Sequence, residues 1–247
     1  MNQIALNKFE RLPAPIVPAA QHDGLLNIEY LTGDIEIIIP LWEHARPGDY
    51  YGLQINDMHV LPSPALPDPL PVGDLTMHIA GTLFEDEGIY HIRYAAKNVE
   101  NGVVELSDAA TIRVDRTAPG AALLAPVMFR DSPPCNVVRA LVPGYAHMAE
   151  GDVIKTFLNG MPGPVYQVTR ADLTTRIIEI VFSKPFLMGL GSGSVRLTYC
   201  VRDRAGNRSI DSEPAELSGL KPENVDWTPS GGNPGLPRLD TLGRPSS

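Results

Sequence analysis

Histidine and aspartate recur at one spacing in two parts of the chain. "PLWEHARPGD" (40–49) carries His44 and Asp49, and "PGYAHMAEGD" (143–152) carries His147 and Asp152. An imidazole near a carboxylate is the minimum for a general base or the start of a metal site. Each copy offers one His and one Asp, with no third ligand at useful spacing. Gly48 and Gly151 suit a turn that needs a positive φ, and the following Asp suits capping of local amides. The pair therefore reads as turn chemistry, while the recurring His has no such explanation. His78 and His91 fall on the polar phase of two strand-like segments, and His22 and His59 sit apart from both.

Other chemistry is sparse. "EDE" (Glu85, Asp86, Glu87), taken with Asp115, supplies oxygen ligands of the kind calcium takes, though no D-x-D-x-D loop is present. Calcium is the one cofactor these residues suggest. "GLGSGS" (189–194) is similar to a phosphate-cradling loop but precedes a strand where such loops precede a helix. No G-x-S-x-G occurs, and no catalytic residue is assigned. "GNRS" places an N-x-S sequon at Asn207, which matters only in a glycosylating host. Trp42, with Tyr50 and Tyr51 close by, is the best aromatic grouping for an interface or a sugar.

Composition limits the elements that position these residues. Pro (24) and Gly (22) make up nearly a fifth of the 247 residues, which favours many short strands and turns over long helices. The formal charge of −9 disfavours nucleic acid and anionic membrane surfaces as partners. No run of about 18 apolar residues occurs, so no membrane insertion is expected. The N-terminal stretch "MNQIALNKFERLPAP" has no apolar h-region, so a non-Sec route to the surface, or a cytoplasmic address, is expected.

The chain repeats itself. Residues 39–56 laid over 142–159 match Pro40 with Pro143, His44 with His147, Gly48 with Gly151, Asp49 with Asp152 and Asn56 with Asn159. Farther on, Tyr94 meets Tyr199, Lys97 meets Arg202, Asn98 meets Asp203 and Ser107 meets Ser212, and the offset drifts only from 103 to 105. Within each copy apolar residues alternate: Ile35, Ile37, Ile39; Leu75, Met77, Ile79; Tyr90, Ile92, Tyr94; Val195, Leu197, Tyr199. A period of two with one apolar face marks half-buried antiparallel strands. The expected fold is all-β, two β-sandwiches of about a hundred residues each.

"DEGIYHI" (86–92) resembles the D-x-G-x-Y-x-C signature of the immunoglobulin fold, with Ile92 in place of the cysteine. The resemblance makes Tyr90 the corner tyrosine and Ile37 a fitting partner on the opposite sheet. The second copy departs from it, with Val195 for the tyrosine and Leu197 for the cysteine. "YCVRDRAGNRS" and "VDRTAP" (114–119) resemble turns and linkers of tandem immunoglobulin-like and fibronectin III-like repeats in large Gram-negative surface or secreted proteins. The resemblance implies two tandem immunoglobulin-like antiparallel β-sandwiches joined by a short linker. The expected divisions are a lead over 1–13, domains over 14–116 and 117–218, and a flexible Pro/Gly-rich tail over 219–247.

The only cysteines are Cys135 and Cys200. Cys135 lies off the inward phase of Val138, Ala140 and Val142, or in the loop before it. Cys200 alternates with Arg196 and Arg202, so it is expected to face outward. Two outward residues on opposite sheets cannot approach to the roughly 4.4–6.8 Å a disulfide needs, so free thiols are expected. Function is expected to be non-enzymatic: a structural or recognition module, adhesin-like, with a protein or glycan partner. The alternatives are a carbohydrate-binding accessory domain and a targeting component of a toxin or secretion system. Oligomeric state is left open.

Overall fold

The computed structural model describes residues 11–60, 62–130, 137–190 and 193–220. They fall into two compact units. One runs up to Pro119 and includes Arg202–Arg208; the other comprises Gly120–Val201 and the residues from Ser209.

In the first unit the strands are β1 (Asp34–Ile39), β2 (Tyr50–Ile55), β3 (Met58–His59), β4 (Leu75–Ala80), β5 (Gly88–Lys97), β6 (Val104–Leu106) and β7 (Ala110–Val114). β1 pairs antiparallel with β4 in one sheet. The other sheet has the order β3-β2-β5-β6, with β7 continuing along β5. Burial follows the alternation of the sequence: Ile35, Ile37 and Ile39 from one sheet join Leu53, Ile55, Ile92 and Tyr94 from the other in one buried cluster.

The second unit repeats the plan. Its strands are β8 (Met128–Arg130), β9 (Val137–Pro143), β10 (Val153–Leu158), β11 (Met161–Gln167), β12 (Ile177–Ser183), β13 (Gly193–Arg202) and β14 (Ala215–Leu220). They form sheets of order β12-β9-β8 and β11-β10-β13-β14 over a core of Val138, Ala140, Val142, Ile178, Ile180, Leu197 and Tyr199. Two short helices, α1 (Asp172–Thr175) and α2 (Lys184–Met188), flank β12. The fold is all-β, two immunoglobulin-like antiparallel sandwiches. The tail expected over 219–247 starts too early, since β14 runs through Leu220 and pairs there with Gly193; residues 221–247, like Cys135, lie outside the described residues.

The identities shared by the two copies have shared physical roles. Asn56 and Asn159 each sit at φ 49°, beyond the reach of most side chains but tolerated by Asn. Their amide oxygens accept from His91 N (2.9 Å) and Arg196 N (2.8 Å), and their own N–H groups donate back to the same residues' carbonyls. Ser107 Oγ accepts from Tyr94 N, and Ser212 Oγ accepts from Tyr199 N, both at 3.0 Å. Each hydroxyl stands in for a ladder acceptor where the edge strand leaves register, and so satisfies a buried amide.

The corner tyrosine is present. Tyr90 O–H donates to the Asp86 carbonyl at 2.8 Å, and its ring meets Phe84 edge-on at 5.0 Å. The bond ties the entry loop to the start of β5. Tyr90→Phe keeps the ring contact and loses this bond, so urea unfolding is expected to show a loss of about 1 kcal/mol. An unchanged midpoint would show that the corner bond adds nothing to stability.

One expectation is corrected. Cys200 does not face solvent; it is buried, at 2% exposure. Ala95, its counterpart in the first copy, is also on the outer phase and also buried. Both stand on a central strand, with β2 and β6 beside Ala95 and β10 and β14 beside β13. A small side chain on a central strand, flanked on both sides, is easily shielded from solvent whichever face it points to.

Candidate functional site

The turn before β2 is built around Asp49. Gly48 takes φ 88°, as the sequence requires, and Asp49 Oδ2 accepts from Arg46 N at 3.0 Å. Its Oδ1 accepts from Val99 N at 2.9 Å, which ties the turn to the loop after β5. In the second copy Gly151 takes φ 93°, and Asp152 Oδ2 accepts from Ala149 N at 3.0 Å and from the Tyr145 hydroxyl at 2.8 Å. Burial and the Asp152 carboxylate together push the Tyr145 hydroxyl well above the usual tyrosine range. Both aspartates are buried and both histidines exposed, so each Asp serves its turn and neither is a His–Asp pair.

The two copies part at the aromatic. Tyr145 sinks into the core and spends its hydroxyl on Asp152. Trp42, at the matching place, stays half-buried. Its ring lies 6.5 Å from Tyr51 and 6.3 Å from Tyr94, covering one end of the first core. Beneath it Tyr94 is fully buried, and its hydroxyl is pushed up to about 12 by burial, with the Asp74 charge adding to the effect.

The grouping of Trp42, Tyr50 and Tyr51 does not form one surface. Tyr50 and Tyr51 are consecutive on β2, so they face opposite sides of the sheet. Tyr51 turns inward beneath Trp42, whereas Tyr50 is exposed and lines a separate hollow of about 450 Å³ with His59, Ser63 and Lys97. Trp42 lines a cavity of about 440 Å³ in the same unit, together with Glu43, His44, Asn98, Asn101 and Glu105. Adjacent spacing in the sequence suggested one cluster. The pairing of the β5 loop with the turn before β2 was the signal missed, since Asn98 and Asn101 lie some fifty residues from Trp42.

Two of the acidic residues near the junction are committed to it. Glu87 Oε2 accepts from Thr117 Oγ1 (2.7 Å) and Arg116 N (3.2 Å), and Asp115 Oδ1 accepts from Thr117 N (2.9 Å). Glu85 and Asp86 are exposed in the loop before β5, where the Asp86 carbonyl holds Tyr90. Among the described residues no three His, Cys, Asp or Glu side chains converge as a metal-binding set. Likewise no helix among them is long and apolar enough to cross a membrane.

No family model matches the chain, and no curated protein matches it in sequence. Solved structures similar to it include a 1.5-MDa bacterial ice-binding adhesin studied for retention at the host cell surface, at 15% identity and a TM-score of 0.42. That match covers 84% of this chain and 65% of the adhesin chain, so the protein spans less than two thirds of it. The fibronectin(III)-like modules of Clostridium thermocellum CbhA match at 12% identity and a TM-score of 0.43, over 82% of this chain and 92% of theirs. The human OSCAR ligand-binding domain matches at 13% identity and a TM-score of 0.38, over 83% of this chain and 98% of that one.

Proposed function

We propose that the protein is a non-enzymatic structural and recognition module, an adhesin-like spacer that meets its partner through loops of the first sandwich. One observation carries this reading: most of the buried polar side chains hold backbone. Asp49 and Asp152 close turns, Ser107 and Ser212 complete strand ladders, Ser209 Oγ accepts from Val201 N, and Thr156 Oγ1 donates to the Pro164 carbonyl. Catalysis calls for buried polar groups aimed at a reacting atom; here such groups build a stiff frame. The resemblance of "VDRTAP" and "DRAGNRS" to linkers and turns of surface-protein repeats adds to the reading and implies work at a cell surface or outside the cell.

The test is a panel of ester, amide, glycoside and phosphoester substrates offered to the full chain. No turnover is expected. Turnover at an enzymatic rate, abolished by one point substitution, would overturn the reading.

A further inference from the structure

The cavity beside Trp42 has groups to spare, and they share one chemistry. Asn98 Oδ1 accepts from Glu100 N and Asn101 N, and Asn101 Oδ1 accepts from Val103 N. Each amide oxygen is thus committed to its own turn. The two NH2 groups have no acceptor among the described residues, and the same holds for the Trp42 indole N–H. Nor do the side chains of Glu43, Glu105 and His44 take part in any hydrogen bond or ion pair among those residues. Arg11, on the rim, is paired at 3.6 Å with Asp108.

The cavity therefore offers an aromatic ring, amide and indole donors, carboxylate acceptors and an imidazole that can do either. A pyranose matches this set: its C–H face lies against an indole, and its hydroxyls both donate and accept. Carboxylates bind hydroxyl donors strongly. Glu43 and Glu105, in a chain of charge −9, select against an anionic ligand. The volume of about 440 Å³ lies within the roughly 300–1,000 Å³ of small-molecule sites and admits one or two sugar rings. At the matching place in the second copy Tyr145 is buried on Asp152, so it presents no half-exposed ring where Trp42 does.

We infer that this cavity binds a neutral mono- or disaccharide, laid against Trp42 and hydrogen-bonded by Asn98, Asn101, Glu43 and Glu105. The inference rests on the recognition-module reading and gives its first sandwich a ligand class. It also gives His44 a place, on the cavity wall.

Trp42 and Trp227 are the only tryptophans, so Trp227→Phe leaves Trp42 as the sole indole reporter. The full chain carrying that change is titrated with glucose, galactose, mannose, N-acetylglucosamine and their β-linked disaccharides, with glucuronate as the anionic control. A saturable change in Trp42 emission with at least one neutral sugar, and none with glucuronate, is expected. Trp42→Ala risks the core end, so the decisive variant is Asn98→Asp with Asn101→Asp. It keeps both oxygens for the turn amides and removes both donors. It is expected to unfold at the same temperature and to bind about tenfold or more weakly.

Equal binding by that variant, preference for glucuronate, or no response to any neutral sugar would each overturn the inference. Loss of sugar binding and loss of the module reading remain separable. A sugar bound and then hydrolysed sinks the non-enzymatic reading and keeps the site; no sugar bound, with no turnover on any substrate, sinks the site and keeps the module.

Discussion

Ile92→Ala lowers the unfolding free energy of the first sandwich by about 2–5 kcal/mol, the range for truncating a fully buried branched aliphatic. Ile92 is 0% exposed at the middle of β5, between Ile55 on β2 and Ala110 on β7. Ile37, also 0% exposed, enters the same cluster from the other sheet. Immunoglobulin domains of the antibody type place a disulfide between those sheets; here Ile37 and Ile92 stand in one apolar cluster buried between them. No covalent link limits the unfolded chain, so packing must supply what cross-linking would otherwise add. A cavity at Ile92 removes contacts from both sheets at once, against a total stability of roughly 5–15 kcal/mol for an ordinary domain. Ile89, three residues earlier and 61% exposed, is the control, and Ile89→Ala is expected within about 0.5 kcal/mol of the parent. Urea unfolding read by Trp42 emission in the Trp227→Phe background measures both. Equal midpoints for the two variants would mean that the inter-sheet packing at Ile92 is not what holds this sandwich closed.

The alternation that exposes Ile89 and buries Ile92 is legible in the sequence, because a strand's facing is a local, two-residue property. Tyr90 is legible through the resemblance of "DEGIYHI" and the two turn aspartates through the Gly before each, while the paired Asn and Ser residues are visible as matches but not in their backbone roles. The burial of Cys200 could not. Its own strand points it outward, and its burial depends on β13 being a central strand of its sheet, between β10 and β14. Nor could the Trp42 cavity be read. Its donors come from the loop after β5, brought to the turn before β2 by the Tyr50–Lys97 register and the bond from Val99 N to Asp49. What depends on one strand is written locally; what depends on which strands are neighbours is not.

Asp152→Ala separates the two turns that the sequence makes look alike. It is expected to cost the second sandwich about 2–4 kcal/mol, since removing the buried carboxylate strands at least two donors and each unsatisfied group costs about 1–3 kcal/mol. Those donors are Ala149 N and the Tyr145 hydroxyl, the latter inside the core. Removing the second donor as well should recover part of the loss. Asp152→Ala combined with Tyr145→Phe is therefore expected to be more stable than the sum of the single changes, a coupling of about 1 kcal/mol or more between contacting partners. In the first copy the same cycle has no counterpart, because Asp49 is held by the Arg46 and Val99 amides and Trp42 makes no bond to it. Asp49→Ala combined with Trp42→Phe should be additive. The Tyr145 hydroxyl also sets a pH dependence. Its folded pKa is raised by burial first and by Asp152 second, so its contribution is complete below the unfolded value of about 10 and declines as pH rises above it. Tyr145→Phe should make that alkaline limb of the second sandwich shallower, the part due to buried Tyr199 remaining, while Trp42→Phe leaves it unchanged. Additivity in the second copy, with an alkaline limb untouched by Tyr145→Phe, would mean that the tyrosine–aspartate bond does not hold the turn, and that the aromatic difference between the copies is one of size alone.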